Sequence, residues 1–583
     1  MKKIYYIKIA CLSLITLALT SCMDLEPKAD LGDNLVWDKA DNFQLFANQF
    51  YSWTRDFQMS VDYGSGVSDG PHSDYRSDLI ATSSINTYSQ GGTNTIPATD
   101  KNYTEIYKRI YYTNLLLDRA ESFSDKNAIA IPIAEAKFFR AYLHFELVQI
   151  WGGDVVLLTR PLDIDDPTLF APPRNSRDEV IDQVIKDLQD AATVLPETAT
   201  ETGRLTRYAS LAMLSRVALY EGTWQKFHTG GSNASSNTSR STELLTIAKN
   251  AADDVIKYGK YQIFYNETLG DQSYHYMFIL EDAAQCNPAN LTKKDNLEYI
   301  LAHRHRDGDN LGINITHAMQ GNVVYVTRKL ANMYLCSDGL PVSKSSLFKG
   351  YTGATDEFLN RDMRMSNTML QNGQNYWNND GKWRVTWDDE DLNSSLVANV
   401  RSNSGYQNNK WSVERQVADY YESMDYPVIR YAEVLLNYAE AVYELTGSIS
   451  DDDLDYSLNL VRLRVNENMP KLSNSFVNAN SLSMREEIRR ERSIELFLEG
   501  FRIDDLKRWA TASTEMIQDQ LGVKVSGTWF EANWAAQARP LDGDGCIILY
   551  DGRVWEDKHY LYPLPSDQRQ LNPQLGQNPG WTN

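Results

Sequence analysis

The sequence predicts a mainly α-helical protein, a scaffold of tetratricopeptide-like helical pairs into which a long irregular insertion with loops and short strands is set. Two observations carry this expectation. Apolar residues recur at helical spacing from Trp37 to about residue 258 and again from Val428 to Ala510. Between about 260 and 425 that period is lost, and Asn, Gly, Asp, Ser and aromatic residues take over.

Taken in order, residues 1–21 have the layout of a secretory signal: Lys2, Lys3 and Lys8 precede an apolar run from Ile9 to Leu19 that is too short for a stable membrane span. The run ends in Leu19-Thr20-Ser21-Cys22. Two small residues before a thiol form a bacterial lipobox, so Cys22 is expected to carry lipid, and two or more acyl chains hold a protein firmly to a membrane. Residues 22–34 then read as the lipidated cysteine and a polar tether, and 35–583 as one domain.

The helical signals in that domain are Phe43 to Tyr51, Tyr103 to Leu117, Ala134 to Trp151, Val180 to Leu195, Ala209 to Trp224 and Leu244 to Tyr258. Ser176 stands before a first turn with Asp178 and Glu179, while Gly152-Gly153 and Pro196 provide stops. The rhythm of Ala136, Phe139, Tyr142 and Phe145 is that of a loose tetratricopeptide unit. The scaffold is expected over about 35–258 and 428–512, where helices return at Val428 to Leu445, Leu454 to Val465 and Met484 to Ala510. Inside the insertion, Leu297 to Leu301, Val323 to Val326 and Val385 to Trp387 are the extended candidates, and 513–583 reads as a loop-rich tail.

The chain carries −21 over 583 residues, and loss of the three signal lysines takes it to −24, which argues against a nucleic-acid partner. Beyond Cys11 and Cys22 only Cys286, Cys336 and Cys546 remain, too few for a disulfide framework.

Several chemical motifs are weak. Gly66-Val67-Ser68-Asp69-Gly70 has the spacing of a nucleophile elbow but is followed by the polar Pro71-His72-Ser73-Asp74 rather than a helix. His303 and His305 alternate as on a strand, with no third metal ligand at a recognisable spacing. No cofactor is expected, although Asp307, Asp309 and Asn310, or Asp163, Asp165 and Asp166, offer hard oxygens that leave room for a structural calcium ion. In REEIRRERSIELFLEGFR, Glu487, Glu491 and Glu495 interleave with Arg489, Arg490 and Arg492, which predicts a helix face laced by its own ion pairs and broken at Gly500.

The strongest ligand-binding candidate is YWNNDGKWRVTWDDED. Tyr376, Trp377, Trp383 and Trp387 stand beside Asn378, Asn379, Asp380 and Asp388. A sugar ring offers a C–H face that packs on an aromatic plane and hydroxyls that need amide or carboxylate partners, and this composition supplies both. A second candidate is the polar 62–90 stretch, with Tyr63, Asp74, Tyr75, Arg76 and Tyr88. No catalytic residue is expected; a glycosidase reading would have to rest on Asp388 or Asp389.

Several stretches together resemble the SusD/RagB family of outer-membrane nutrient-binding lipoproteins: DLEPKADL, AEAKFFRAYLHFELVQIWGGDVVLLTRPL, GRLTRYASLAMLSRVALYEGTW, DYPVIRYAEVLLNYAEAVYEL, REEIRRERSIELFLEGFRIDDLKRW and YLYPLPSDQRQLNPQLGQNPGW. The chain departs at Val465-Asn466, where the family usually carries a glycine, which leaves that turn open. The resemblance implies a lipid-anchored protein on the outer face of the outer membrane. Such a protein sits as a lid on a SusC-like TonB-dependent transporter and binds mostly oligosaccharides, or peptides in some members, without catalysis.

Overall fold

The computed structural model describes residues 37–57, 70–81, 86–88, 93–162, 171–231, 233–306, 312–316, 324–371, 404–415, 420–531 and 539–582, positions 166, 319 and 374, and the strand backbones at 376–378 and 382–384. The signal segment, Cys22, the tether, residues 66–69 and most of the calcium-type donors lie outside the described residues.

The first half forms helices where the periodicity places them. Helix α1 (Ala40–Ala47) runs into a 3₁₀ turn, Asn48–Trp53. Next come α2 (Lys101–Ser122), α3 (Ala130–Trp151), α4 (Arg177–Val194), α5 (Arg207–Phe227) and α6 (Thr238–Tyr258). The starts are encoded in single residues: Asp100 accepts the amides of Asn102 and Tyr103, Thr206 that of Ala209 and Asn237 that of Arg240. Ser176 and Glu179 form a reciprocal capping box. Gly152 ends α3 where a Cβ would lie 2.3 Å from the Val148 carbonyl oxygen, and Gly259 ends α6 at φ 71°. From α2 onward each helix packs on the next, and α7 (Tyr431–Thr446) returns from the second half to pack on α6. The α3 and α5 helices are buried on nearly every face because neighbours cover both sides.

Among the described residues the strands outside this stack form four two-stranded ladders. They pair β1 (Ile80–Ala81) with β3 (Tyr325–Val326), β2 (Tyr299–His303) with β6 (Tyr426–Arg430), β4 (Tyr376–Asn378) with β5 (Lys382–Arg384), and β7 (Gln520–Lys524) with β8 (Cys546–Tyr550), all antiparallel. The expected strand at 385–387 lies outside the described residues.

Three expected helices differ from the periodicity: the one from Leu454 to Val465 is broken at Ser457 into two short helices, Asp451–Tyr456 and Leu458–Arg462. The expected helix from Val428 begins only at Tyr431. Pro427 biases its predecessor toward extended backbone, and the buried Val428 and Ile429 pair with β2 instead. The expected 484–510 helix is two, α8 (Met484–Glu495) and α9 (Arg502–Arg508), separated by a turn in which Leu498 and Gly500 stand at φ 58° and 75°. At the open turn, the Asn466 side chain donates to Asp362 and to the Arg462 carbonyl and accepts the Met363 amide, so a side-chain bridge stands where a glycine was expected.

The charged α8 face is the main correction. Glu487, Glu491 and Glu495 are buried, and along the helix only Arg490 with Glu487 and Arg489 with Glu486 pair. Glu491 takes Arg364, and Glu495 takes Arg364, Arg430 and Arg464, all from distant segments. What reads locally as a helix face laced by its own ion pairs is an ion network that fastens the insertion to the C-terminal helices. The main hydrophobic core runs through the structure from Phe43 to Leu575, and a small second cluster of Ala218, Leu219, Leu245, Ala248 and Ala441 joins α5, α6 and α7.

Candidate functional site

The structure gathers both candidate stretches around one small block of backbone pairing. Ile80 and Ala81 pair with Val326 and Tyr325, Tyr325 bridges Gln407, and Asn408 bridges Met369. The Leu370 amide donates to Gln407 at 2.8 Å and the Asn409 amide to Thr368 at 2.7 Å. Thr327 locks the block to the 78–79 backbone: its amide donates to Leu79 at 3.0 Å and its hydroxyl reaches the Asp78 and Leu79 carbonyls at 3.1 and 3.0 Å. Because every neighbour is antiparallel, the chain beyond Ala81 leaves one end of the block and the chain beyond Gln371 leaves the opposite end.

The second exit leads to the β4–β5 hairpin. Its register sets Trp377 against Trp383, Tyr376 against Arg384 and Asn378 against Lys382. By strand alternation the two tryptophan positions share one face of the ribbon, and Tyr376, Asn378, Lys382 and Arg384 occupy the other. Sequence reasoning singled out the aromatic and amide residues and passed over Lys382 and Arg384. Their signal was the alternation in KWR once its pairing with YWN is recognised. Asn379, Asp380, Trp387, Asp388, Asp389 and Tyr63 lie outside the described residues.

The second candidate stretch divides. Asp74 and Tyr75 are core residues, a correction to their reading as ligand contacts. The Asp74 carboxylate accepts the Leu498 amide at 2.7 Å and the Arg502 amide at 3.3 Å, and so holds the left-handed turn between α8 and α9. Burial pushes its carboxyl up to about 7, against the opposing pull of those amides, Lys410 and Arg502. Arg76 is also buried and turns toward the C-terminal tail. Its guanidinium lies 3.8 Å from the Tyr88 ring centre and 5.2 Å from that of Tyr562, and it donates to the Tyr562 hydroxyl at 2.7 Å. The hollow beside it holds about 20 Å³, room for a water and not for a sugar ring. These polar residues read as a binding loop because Leu498, Arg502 and Tyr562, which hold them, lie more than 400 positions away.

His72 has a structural post as well. Its Nε2 stands 2.6 Å from Glu146 and its Nδ1 2.7 Å from Asp504, with Arg55 beside both carboxylates, so it pins the 70s stretch to α3 and α9. Burial alone would raise the Glu146 carboxyl, but Arg55 and His72 outweigh it and hold the group at about 2. His303 meets the Thr54 hydroxyl at 2.9 Å, and its ring centre lies 5.3 Å from that of His305. Among the described residues no group of three His, Cys, Asp or Glu is arranged to hold a metal, and no helix is long and apolar enough to cross a membrane.

The comparisons with known proteins agree with this architecture. The SusD family profile matches residues 296–581, and a second profile, described as starch-binding associating with outer membrane, matches residues 34–219. A SusD-like protein of Formosa agariphila, P25, is 30% identical over 130 residues, 21% of this chain and 24% of that protein. A SusD-like protein of Bacteroides ovatus is 27% identical over 176 residues, 29% of this chain and 30% of that protein. The matched stretches thus span less than half the length of these curated relatives. Among solved structures, a SusD-like carbohydrate-binding protein from Bacteroides fragilis superposes with a TM-score of 0.71 at 23% identity, covering 93% of this chain and 99% of that one. A structure described with xylogluco-oligosaccharide gives 0.60 at 17% identity, covering 92% and 98%. At such identities the likeness is one of fold.

Proposed function

Because this chain belongs to the SusD/RagB family, we propose that it is a surface lipoprotein that captures a nutrient oligosaccharide and passes it to a SusC-like TonB-dependent transporter as its lid. The observation that carries the binding half of this reading is the hairpin register. Trp377 opposite Trp383 makes an aromatic pair of positions on one face, with amide and cationic positions on the other, in a hairpin of the insertion. Rings that pack on sugar C–H faces and polar groups that read hydroxyls are the two components such a ligand needs. The reading is one of binding without turnover. Outer-membrane residence through lipid on Cys22 belongs to the same proposal.

Isothermal titration against a panel of neutral oligosaccharides tests it. At least one should bind, and the Trp377→Ala, Trp383→Ala double variant should lose that binding while unfolding at the same urea concentration. Peptide binding with no glycan binding would favour a peptide-capturing member of the family. Sustained hydrolysis that disappears on Asp388→Asn or Asp389→Asn would make the protein an enzyme.

A further inference from the structure

A second groove lies on the seam between scaffold and insertion, far along the chain from the hairpin. Its walls are the loop from Glu197 to Thr206, the end of α6 with the residues that follow it, and the approach to β2, and it encloses about 500 Å³, within the ~300–1,000 Å³ of ordinary ligand sites.

Its charge runs against that of the whole molecule. In a chain of −21, the described lining carries Arg204, Lys260, Lys293, Lys294 and Arg304 against two carboxylates, Glu197 and Asp425. Asp425 is already engaged twice, by Lys293 at 3.0 Å and Arg304 at 3.3 Å. The Lys293 ammonium is further held by the Asp282 carboxylate at 3.2 Å and by the His305 and Ser423 carbonyls. Arg204 is taken by Glu201 and Glu135. Lys260 and Lys294 are exposed and form no ion pair with any described residue.

The same groove is walled by half-buried tyrosines whose rings are fixed. Tyr258 stacks on Tyr208 at 3.7 Å between ring centres, and its hydroxyl donates to the Glu197 carbonyl at 3.1 Å. Tyr261 lies 5.8 Å from Tyr258, and the Tyr299 hydroxyl reaches the Met277 carbonyl at 3.4 Å. Pre-ordered aromatic walls limit the entropy lost when a ring-shaped ligand docks.

We propose that this groove is a second saccharide site, specific for oligosaccharides with anionic groups, with Lys260 and Lys294 pairing to carboxylate or sulfate and the tyrosines packing on the sugar rings. This goes beyond the hairpin reading and stands on different residues. Calorimetric titration at low ionic strength with trigalacturonic acid, a sulfated trisaccharide, maltotriose and triglutamate tests it. Preference for one acidic sugar over the other identifies the anion. At least one acidic trisaccharide should bind. Its Kd should rise at least tenfold in Lys260→Glu, Lys294→Glu, two exposed positions whose change leaves the fold intact. It should also weaken with salt, because exposed charges are screened within about 8 Å at physiological ionic strength, and stay unchanged in Trp377→Ala, Trp383→Ala. The proposal falls if neither acidic sugar binds the unaltered protein, if the charge-reversed protein binds equally well, or if triglutamate binds as tightly as the sugars. Loss of maltotriose binding in the tryptophan variant alone reports on the hairpin.

Discussion

Replacing Arg430 with Met should destabilise the fold strongly at neutral pH and much less near pH 5. Arg430 lies buried where β6 turns into α7, and its guanidinium is within 2.8 Å of Glu298, 2.7 Å of Glu495 and 2.7 Å of Glu499, with a further bond to the Glu495 carbonyl. Arg464 still faces Glu298 and Glu495, and Lys410 still faces Glu499, so the substitution leaves one carboxylate in excess. Breaking a buried pair costs about 3–5 kcal/mol. Proton uptake by one glutamate limits that figure: from an ordinary value near 4.3, neutralising it at pH 7 costs about 3.7 kcal/mol, and at pH 5 about 1 kcal/mol. In the variant the folded-state affinity for that proton is raised, so stability is retained below the ordinary carboxylate range and lost as pH rises. Adding about 1 kcal/mol for the lost carbonyl bond, the expected destabilisation is roughly 4–5 kcal/mol at pH 7 and about 2 kcal/mol at pH 5. Urea unfolding followed by tryptophan fluorescence measures it. A loss under 1 kcal/mol at pH 7, or one that does not shrink at pH 5, would refute the view that this network carries a balanced buried charge.

Gly522→Ala should cost about 1–3 kcal/mol, since its Cβ would stand 2.3 Å from the Ser404 carbonyl oxygen, whereas Gly543→Ala, with open space around it, should change little; paired melting curves decide. In the unaltered protein Asp74, with its carboxyl pushed up to about 7, contributes stability that is full below about pH 4 and declines as pH rises through 7. Asp74→Asn should flatten part of that decline in a Tm-against-pH series, and an unchanged slope would show that Asp74 does not titrate there. Cys22→Ala should release the protein from membrane fractions without altering oligosaccharide affinity; retention in the membrane would place the anchor elsewhere.

Helices α1 and α3 begin without a side-chain cap, while the start of α4 was legible because it is written within four residues, Ser176 with Glu179. So was the switch from scaffold to insertion after Tyr258, where the apolar period stops. The same local rules misplaced the start of α7, because Val428 and Ile429 suit a strand as well as a helix and their pairing with β2 decides between them. Trp377 and Trp383 could be named from composition, but their direct opposition needed the hairpin register.

The sequence by itself determined the net negative charge, the helical pairs and the aromatic segment, because charge and periodicity are properties of the residues and their neighbours. Only the tertiary structure decided what the charges do. Asp74 meets amides 424 and 428 positions away, and Arg364 meets Glu491 at a separation of 127. A carboxylate's role depends on whether water or a distant arginine faces it once the chain has folded, and nothing within reach along the chain carries that information.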